Sequence, residues 1–388
     1  MKIAFLSDVE GRWSKLVDFC EGNLLVSLVD GDIQVADGPT VVYGGDTIDR
    51  GPYSRAVLSA LIEGKERQPD QVVLLAGNRD VNKLRLPREL AGHPRAGAPQ
   101  GTRAEILRWT LAKTMGAADA FEHRRTELGH RSADEDVVDS MLADVSARPT
   151  GLLLAYLLCS QLAWRSEETL FVHGGVTEAN LGVVPGDDRS YDVDEWIWRL
   201  NRFYRQQVDA YANDPMGVAH HALIAYQAPL PGTRANDESV IYARPVDARG
   251  NALPPSPALR ARLRDQGIRR IVVGHTPAGD TPAICRVDGF ESIIADSSYG
   301  NLERGSQVLL DRSRTSIRAW VRPVGEQPQR LTADLHLDEP SIIGRRVRET
   351  GQLVKGRLDD GRYVLCRFLD GFRAEEVAVD TVDEAALD

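Results

Sequence analysis

The sequence predicts an α/β fold with a helical insertion and a small β-barrel-like C-terminal appendage. Three observations carry this. Short apolar runs repeatedly end in polar, glycine-containing turns, the places where open α/β sheets hold ligands. Leu84 to Arg165 reads at helical period with no strand signal. Ile342 to Val379 alternates apolar and polar residues between Gly351, Asp359-Asp360-Gly361 and Asp370-Gly371, as three or four hairpin strands would.

Met1 leads into the apolar strand Lys2 to Leu6, which ends in Ser7-Asp8-Val9-Glu10-Gly11. Asp8 and Glu10, two apart, share a side wherever the chain is extended. Arg12 to Phe19 reads as a helix with Trp13, Leu16, Val17 and Cys20 on one face. Leu24 to Val29 and Ile33 to Ala36 flank Asp30-Gly31-Asp32 as a hairpin. Thr40 to Tyr43 is a β-branched and aromatic strand. Its turn, Gly44-Gly45-Asp46-Thr47-Ile48-Asp49-Arg50-Gly51, crowds two carboxylates, an arginine and three glycines. By itself this octapeptide also reads as a capped helix start. A helix from Ser54 to Lys65 follows, then a strand from Gln71 to Ala76 ending in Gly77-Asn78-Arg79-Asp80.

After the Pro/Gly/Ala-rich loop Gly92 to Gly101, helices are expected over Arg103–Met115, Ala117–Leu128, Ala133–Ala147 and Gly151–Trp164. They read as an insertion, residues 84–165, over the ligand edge of the sheet. Strand signals return at Thr169 to Val172, before His173-Gly174-Gly175, and at Arg269 to Val273, before Gly274-His275-Thr276-Pro277. Between them lie an amphipathic helix, Val193 to Tyr211, and a second, Met216 to Tyr226, carrying His220-His221. Short strands at Ala283–Val287, Ser292–Ala295, Ser306–Leu310 and Ser316–Val321 are expected to build a second sheet on the first. Composition shifts near Gly325 to Pro328, dividing the chain into residues 1–325 and a β-rich domain, 326–388.

The 388 residues are 42% hydrophobic and 27% charged, ordinary for a globular protein. A formal net charge of -10 argues against a broad nucleic-acid or membrane-surface footprint. The longest apolar run, Leu152 to Cys159, is too short to span a bilayer. The four cysteines are scattered, with no CxxC pair, and no signal peptide precedes the first strand, so a cytoplasmic protein with reduced thiols is expected. The sequence sets no oligomeric state.

Taken together, the turns carry Asp8 and Glu10, Asp46, Asp49 and Arg50, Asn78 and Arg79, His173, and His275. Each alone has a plainer role as a cap, a turn residue or a core histidine. Converged on one sheet edge, these oxygen and imidazole donors would hold two metal ions a few ångströms apart. The ordered set resembles the calcineurin-like metallophosphoesterases, and Asp49-Arg50-Gly51 points to their phosphoprotein-phosphatase-like branch, which also includes diadenosine tetraphosphate hydrolases. Ala295-Asp296-Ser297-Ser298-Tyr299-Gly300 is similar to a segment near the end of that domain.

The resemblance implies an α/β/β/α sandwich with a dinuclear metal centre. Asp8 and Glu10 would bind one metal, Asp46 would bridge both, and Asn78, His173 and His275 would complete the second. Arg50 would grip phosphate, and a hydroxide bridging the metals would attack phosphorus in line. Asp49 would hold the side chain at position 79. Two positions depart from the family pattern, which has histidine at both: here they are Glu10 and Arg79. One adds a negative charge and the other a positive one, so the pair keeps the net charge. Arg79 stabilises phosphate but donates no proton near neutrality. Asp80, His220 or His221 would then supply the leaving-group proton, or the leaving group must be a good one. Arg199, Arg202 and Arg205 read first as solvated charges.

The expected function is hydrolysis of a phosphomonoester, on a small molecule before a protein. The alternatives are a phosphodiester or dinucleotide polyphosphate hydrolase, and a non-catalytic scaffold that binds a phosphorylated ligand. A carboxylate-rich site favours Mn2+, with Fe or Mg2+ next, over zinc. The anionic Glu10 also keeps a bridging water's pKa higher than histidine would. The rate profile is therefore expected to peak on the alkaline side; a peak below neutrality would count against Glu10 as a ligand.

Overall fold

The computed structural model describes every residue except 188, 190, 191, 234, 248, 249 and 370. The strands are Ile3–Leu6 (β1), Val26–Val29 (β2), Asp32–Val35 (β3), Thr40–Tyr43 (β4), Val72–Leu74 (β5), Ala163–Ser166 (β6), Thr169–Val172 (β7) and Arg270–Val273 (β8). They continue with Ala283–Val287 (β9), Phe290–Ile294 (β10), Gln307–Leu310 (β11), Arg314–Val321 (β12), Gln329–His336 (β13), Leu353–Leu358 (β14), Tyr363–Leu369 (β15) and Arg373–Val379 (β16). One sheet runs β16-β15-β14-β13-β12-β11-β1-β4-β5, another β6-β7-β8-β10-β9, and β2-β3 form the hairpin. β1, β4 and β5 are parallel, as are β7, β8 and β10.

Alternation along the strands builds the layers. Ile3, Phe5, Val42 and Val73 face Phe171, Val272 and Ile293 of the other sheet in one buried cluster, with the Phe5 and Phe171 rings 5.8 Å apart. The opposite set, Ala4, Leu6, Val41 and Tyr43 with Leu170, Val172, Ile271 and Val273, shares a core with the helices Trp13–Cys20, Ser54–Arg67, Val193–Asn213 and Pro257–Asp265. The result is helix, sheet, sheet, helix, as expected.

The inserted helices Arg103–Thr114, Ala120–Leu128 and Asp134–Asp144 bury Leu107, Leu111, Phe121, Val137 and Val138 in a core of their own. Thr102 and Glu105 cap the first of them in a reciprocal box. The last helix of this stretch differs from expectation. It stops at Cys159, packs on Ser54–Arg67, and is followed by β6, which the apolar run had hidden. The expected helix from Met216 shrinks to His221–Tyr226. Of the late strands, β9 and β10 join the second sheet, whereas β11 and β12 join the first, because β11 pairs with the free side of β1.

The tail forms the expected hairpins but no closed barrel among the described residues. β14 instead pairs with β13, Leu331 opposite Leu358, and satisfies an edge that a barrel would have left open. Asp370 of the expected last turn lies outside the described residues. A buried ion pair fixes the tail: Lys355 Nζ lies 2.7 Å from Glu376 Oε1 and donates to the Ala278 and Thr281 carbonyls at 2.6 Å each. Glu376 Oε2 accepts from the Asp280 amide at 3.1 Å. Lys355→Met would leave Glu376 as an uncompensated buried charge, with an expected loss of about 3–5 kcal/mol. A stability loss of under ~1 kcal/mol, read from the urea midpoint at unchanged slope, would refute that role for the pair.

Candidate metal centre

β1, β4 and β5 in one sheet and β7 and β8 in the other bring their C-terminal turns together. The turns do not stay extended. Asp8 (φ 54°), Glu10 (φ 51°), Asp46 (φ 56°), Asp49 (φ 103°) and His275 (φ 60°) all take left-handed backbone, at roughly 1–3 kcal/mol each. Asp8 and Glu10 therefore converge by curling, not by the extended alternation expected of them. The curl is held by backbone bonds: the Asp8 amide to the Gly45 carbonyl and the Glu10 amide to the Asp46 carbonyl, both 3.0 Å.

Asp80 locks two turns together. Its Oδ2 accepts from the Asp46 and Gly77 amides at 2.9 Å each, and its Oδ1 from the Thr47 amide and hydroxyl at 2.8 and 2.6 Å. It is spent as an acceptor, which removes it as the expected proton donor. Gly77 is required here, since a Cβ would collide with the Asp46 carboxylate.

Two groups of buried donor atoms result, each within 4.8 Å: Asp8, Glu10 and Asp46, and Asp46, His173 and His275. They share Asp46. The His173 Nδ1–H donates to the Gly44 carbonyl at 2.7 Å, which leaves Nε2 facing Asp46 Oδ1 and Asn78 Oδ1, both at 3.3 Å. The His275 amide lies 3.1 Å from both Asp8 oxygens, while its buried Nε2 has no hydrogen-bond partner.

Electrostatics fit cation binding. Burial first, then Asp296, Asp46 and Glu10, push the Asp8 carboxyl well above its usual range. Burial, with Asp80 next, raises Asp46 to about 8. Burial raises Glu10 to about 7 against the pull of Arg79. Burial also lowers His173 to about 4 and holds His275 well below its usual value, so both imidazoles are neutral donors. Crowded carboxyls that resist ionising together, beside neutral imidazoles with a bare nitrogen, suit divalent cations. Each group fits one.

The two departures from the family pattern touch. Arg79 Nε lies 2.5 Å from Glu10 Oε1 and 3.5 Å from Asp46 Oδ2, and its Nη1 lies 3.5 Å from Asp49 Oδ2. Arg50 Nε is 3.1 Å from Glu10 Oε2, within ion-pair range but too misaligned for a hydrogen bond, and its guanidinium lies 3.8 Å over the Tyr299 ring. Thus all nine residues named from the sequence gather here.

Others were not foreseen. Lys83 Nζ binds Asp49 Oδ2 at 2.6 Å and is buried. Lys15, buried beneath the carboxylates, reaches Ser297 Oγ at 3.3 Å; burial and Arg12 lower it to about 8. Arg244 donates to the His275 carbonyl at 2.6 Å. Lys83 sits four residues after Arg79, a helical spacing that was its one signal; Arg244, in an aperiodic loop, had none. His220 packs edge-on against Tyr211 and His221 with Asp214 and Arg88 nearby, so the expected proton role does not follow. Arg199 pairs with Glu195 and Asp187 as a surface charge.

A family model described as calcineurin-like phosphoesterase matches residues 1–279. The chain belongs to that family. As a calcineurin-like phosphoesterase it is a metal-dependent phosphoester hydrolase. A search of curated proteins gave no match. Among solved structures, the chain is similar to a cold-active protein-tyrosine phosphatase of a psychrophilic Shewanella species. The identity is 19% over 81% of this chain and 77% of that one, with a TM-score of 0.45. It is also similar to a Saccharomyces cerevisiae serine/threonine phosphatase resembling human PP5, at 13% identity over 88% and 82% with a TM-score of 0.42. A Sphaerobacter thermophilus metallophosphoesterase matches at 11% identity over 80% and 84%, with a TM-score of 0.32. At these identities and scores none of them says more about this phosphoesterase than its family does.

Asp80→Asn keeps the volume but turns an amide group toward backbone N–H donors. Metal affinity of the purified variant is expected to fall at least about tenfold; an unchanged affinity would show the clamp to be dispensable.

Proposed function

We propose that this chain hydrolyses a phosphomonoester using two divalent ions, manganese foremost. Asp8, Glu10 and Asp46 would hold one ion, and Asp46, Asn78, His173 and His275 the other. The observation that carries this reading is the pair of buried donor groups sharing Asp46 beside two guanidinium groups. The ions would supply an acidified water and positive charge against the transferring phosphoryl oxygens.

The protein's own groups do the rest. Arg50 and Arg79 present planar, always-charged forks to the phosphate oxygens. Arg50 keeps 25% of its side chain exposed, so its fork is open to a ligand. Asp49 and Lys83 hold Arg79 in place. With arginine at position 79, the leaving oxygen receives no proton from that position, which favours leaving groups that depart as stable anions. The Gly116 carbonyl, 3.4 Å from Arg79 Nη1, brings the insertion against the site, and that roof favours small substrates over protein surfaces.

The binding-scaffold reading has one observation in its favour: both Glu10 oxygens lie beside arginines, which compete with a metal for them. Hydrolysis of p-nitrophenyl phosphate by manganese-loaded protein separates the two. Turnover that falls about 100-fold or more in Asp46→Asn supports the enzyme; stoichiometric metal without turnover supports the scaffold.

If Glu10 and Arg79 are a matched pair, Glu10→His and Arg79→His should each lower kcat/KM about 10–100-fold. The double variant should recover about tenfold over either, and additive losses would reject the coupling.

A further inference from the structure

The tip of the β15–β16 hairpin reaches the rim of the metal centre. Phe372 stands there at φ 63°, an uncommon conformation for a bulky residue, with 46% of its surface exposed. Its ring lies 5.6 Å from that of Tyr299, the ring beneath Arg50, and the Arg244 guanidinium lies 4.7 Å from its centre. Arg50 leads to Glu10 and Arg244 to His275. Two guanidinium groups thus bracket two aromatic rings beside the metal ligands.

The tip is anchored. Glu376, on the strand that follows, bonds Lys355 and the Asp280 amide, and a Cβ on Gly279 would lie 2.9 Å from Ala374 Cβ. The same strand therefore grips the segment that follows His275 and carries Phe372.

We propose that Phe372 is a specificity residue and that the site takes aryl phosphate monoesters. This rests on the phosphomonoesterase reading above. Phe372 offers a π-face and ring edges with no polar group. A flat aromatic body gains contact area against that ring, which a small aliphatic body cannot match. The second support is independent of the first. Position 79 supplies no proton, and a phenol, whose pKa is about 10, leaves as its anion far more readily than an alcohol does. In the reaction, the water oxygen bonds to phosphorus and the bond from phosphorus to the aryl oxygen breaks. The aryl oxygen leaves with the electron pair and takes its proton from solvent, giving a phenol and inorganic phosphate.

The test uses manganese-loaded full-length protein and two phosphonates that cannot be hydrolysed, with titration calorimetry as the readout. Phenylphosphonate is expected to bind about 5-fold more tightly than methylphosphonate. Phe372→Ala should bring the ratio near 1 and leave methylphosphonate affinity unchanged, while Phe372→Tyr should retain the preference. Equal binding of the two by the unaltered protein, or a preference that survives Phe372→Ala, would overturn the aryl assignment and leave the phosphoesterase reading standing. Failure of methylphosphonate itself to bind would reject both.

Discussion

Carboxylates gathered in a dry turn repel one another, and the fold around the metal centre is arranged to hold them there. At the 4.8 Å that bounds Asp8, Glu10 and Asp46, each charged pair costs about 3.5 kcal/mol at an effective dielectric of 20. Asp296 adds to the strain on all three. Protein cations offset part of it: Arg79 against Glu10 and Asp46, Lys83 against Asp49, Lys15 beneath the group. Burial first, and the neighbouring carboxylates after it, still push Asp8, Glu10 and Asp46 upward, so these cations do not fully offset the cost of ionising the crowd. Divalent cations at the shared Asp46 would supply it.

Holding that crowd fixes the local backbone. Left-handed residues appear where turns curl inward, and Asp80 collects four hydrogen bonds so that the turns after β4 and β5 cannot part. Glycine stands at 77 because the Asp46 carboxylate occupies the space a side chain would need. The strain is stable because the parallel strands beneath, buried on both faces, leave their ends no freedom.

The strand-end turns were legible because both signals are local: a short apolar run, then glycine beside donor residues. Asp8, Glu10, Asp46, Asp49, Arg50, Asn78, Arg79, His173 and His275 all meet as their turns implied. What stayed hidden was partner choice. Whether β11 pairs with β1 or with a late neighbour depends on which edge is free, and alternation within the strand does not encode that. The tail's alternation gave its hairpins, but not that β13 would receive them. β6 was lost because only Ser160 and Gln161 separate the apolar helix from Leu162, Ala163 and Trp164, a break too short to mark a helix end in the pattern. Likewise the sequence showed that Glu10 and Arg79 cancel in charge, yet only the fold places them 2.5 Å apart.

The tail extends this dependence beyond the family match, which ends at residue 279. Asp280 accepts from the Asn301, Leu302 and Arg322 amides, and its own amide is held by Glu376. The segment after His275 is thereby tied to the strands that follow the match. Lys355 adds two bonds to the same segment, at Ala278 and Thr281. A left-handed His275 needs its exit fixed as firmly as its entry, and the entry is already set by β8. The C-terminal strands supply the exit. The position of the His275 imidazole therefore depends on residues that carry no chemistry of their own, and loosening β14 or β16 would free the exit of that turn.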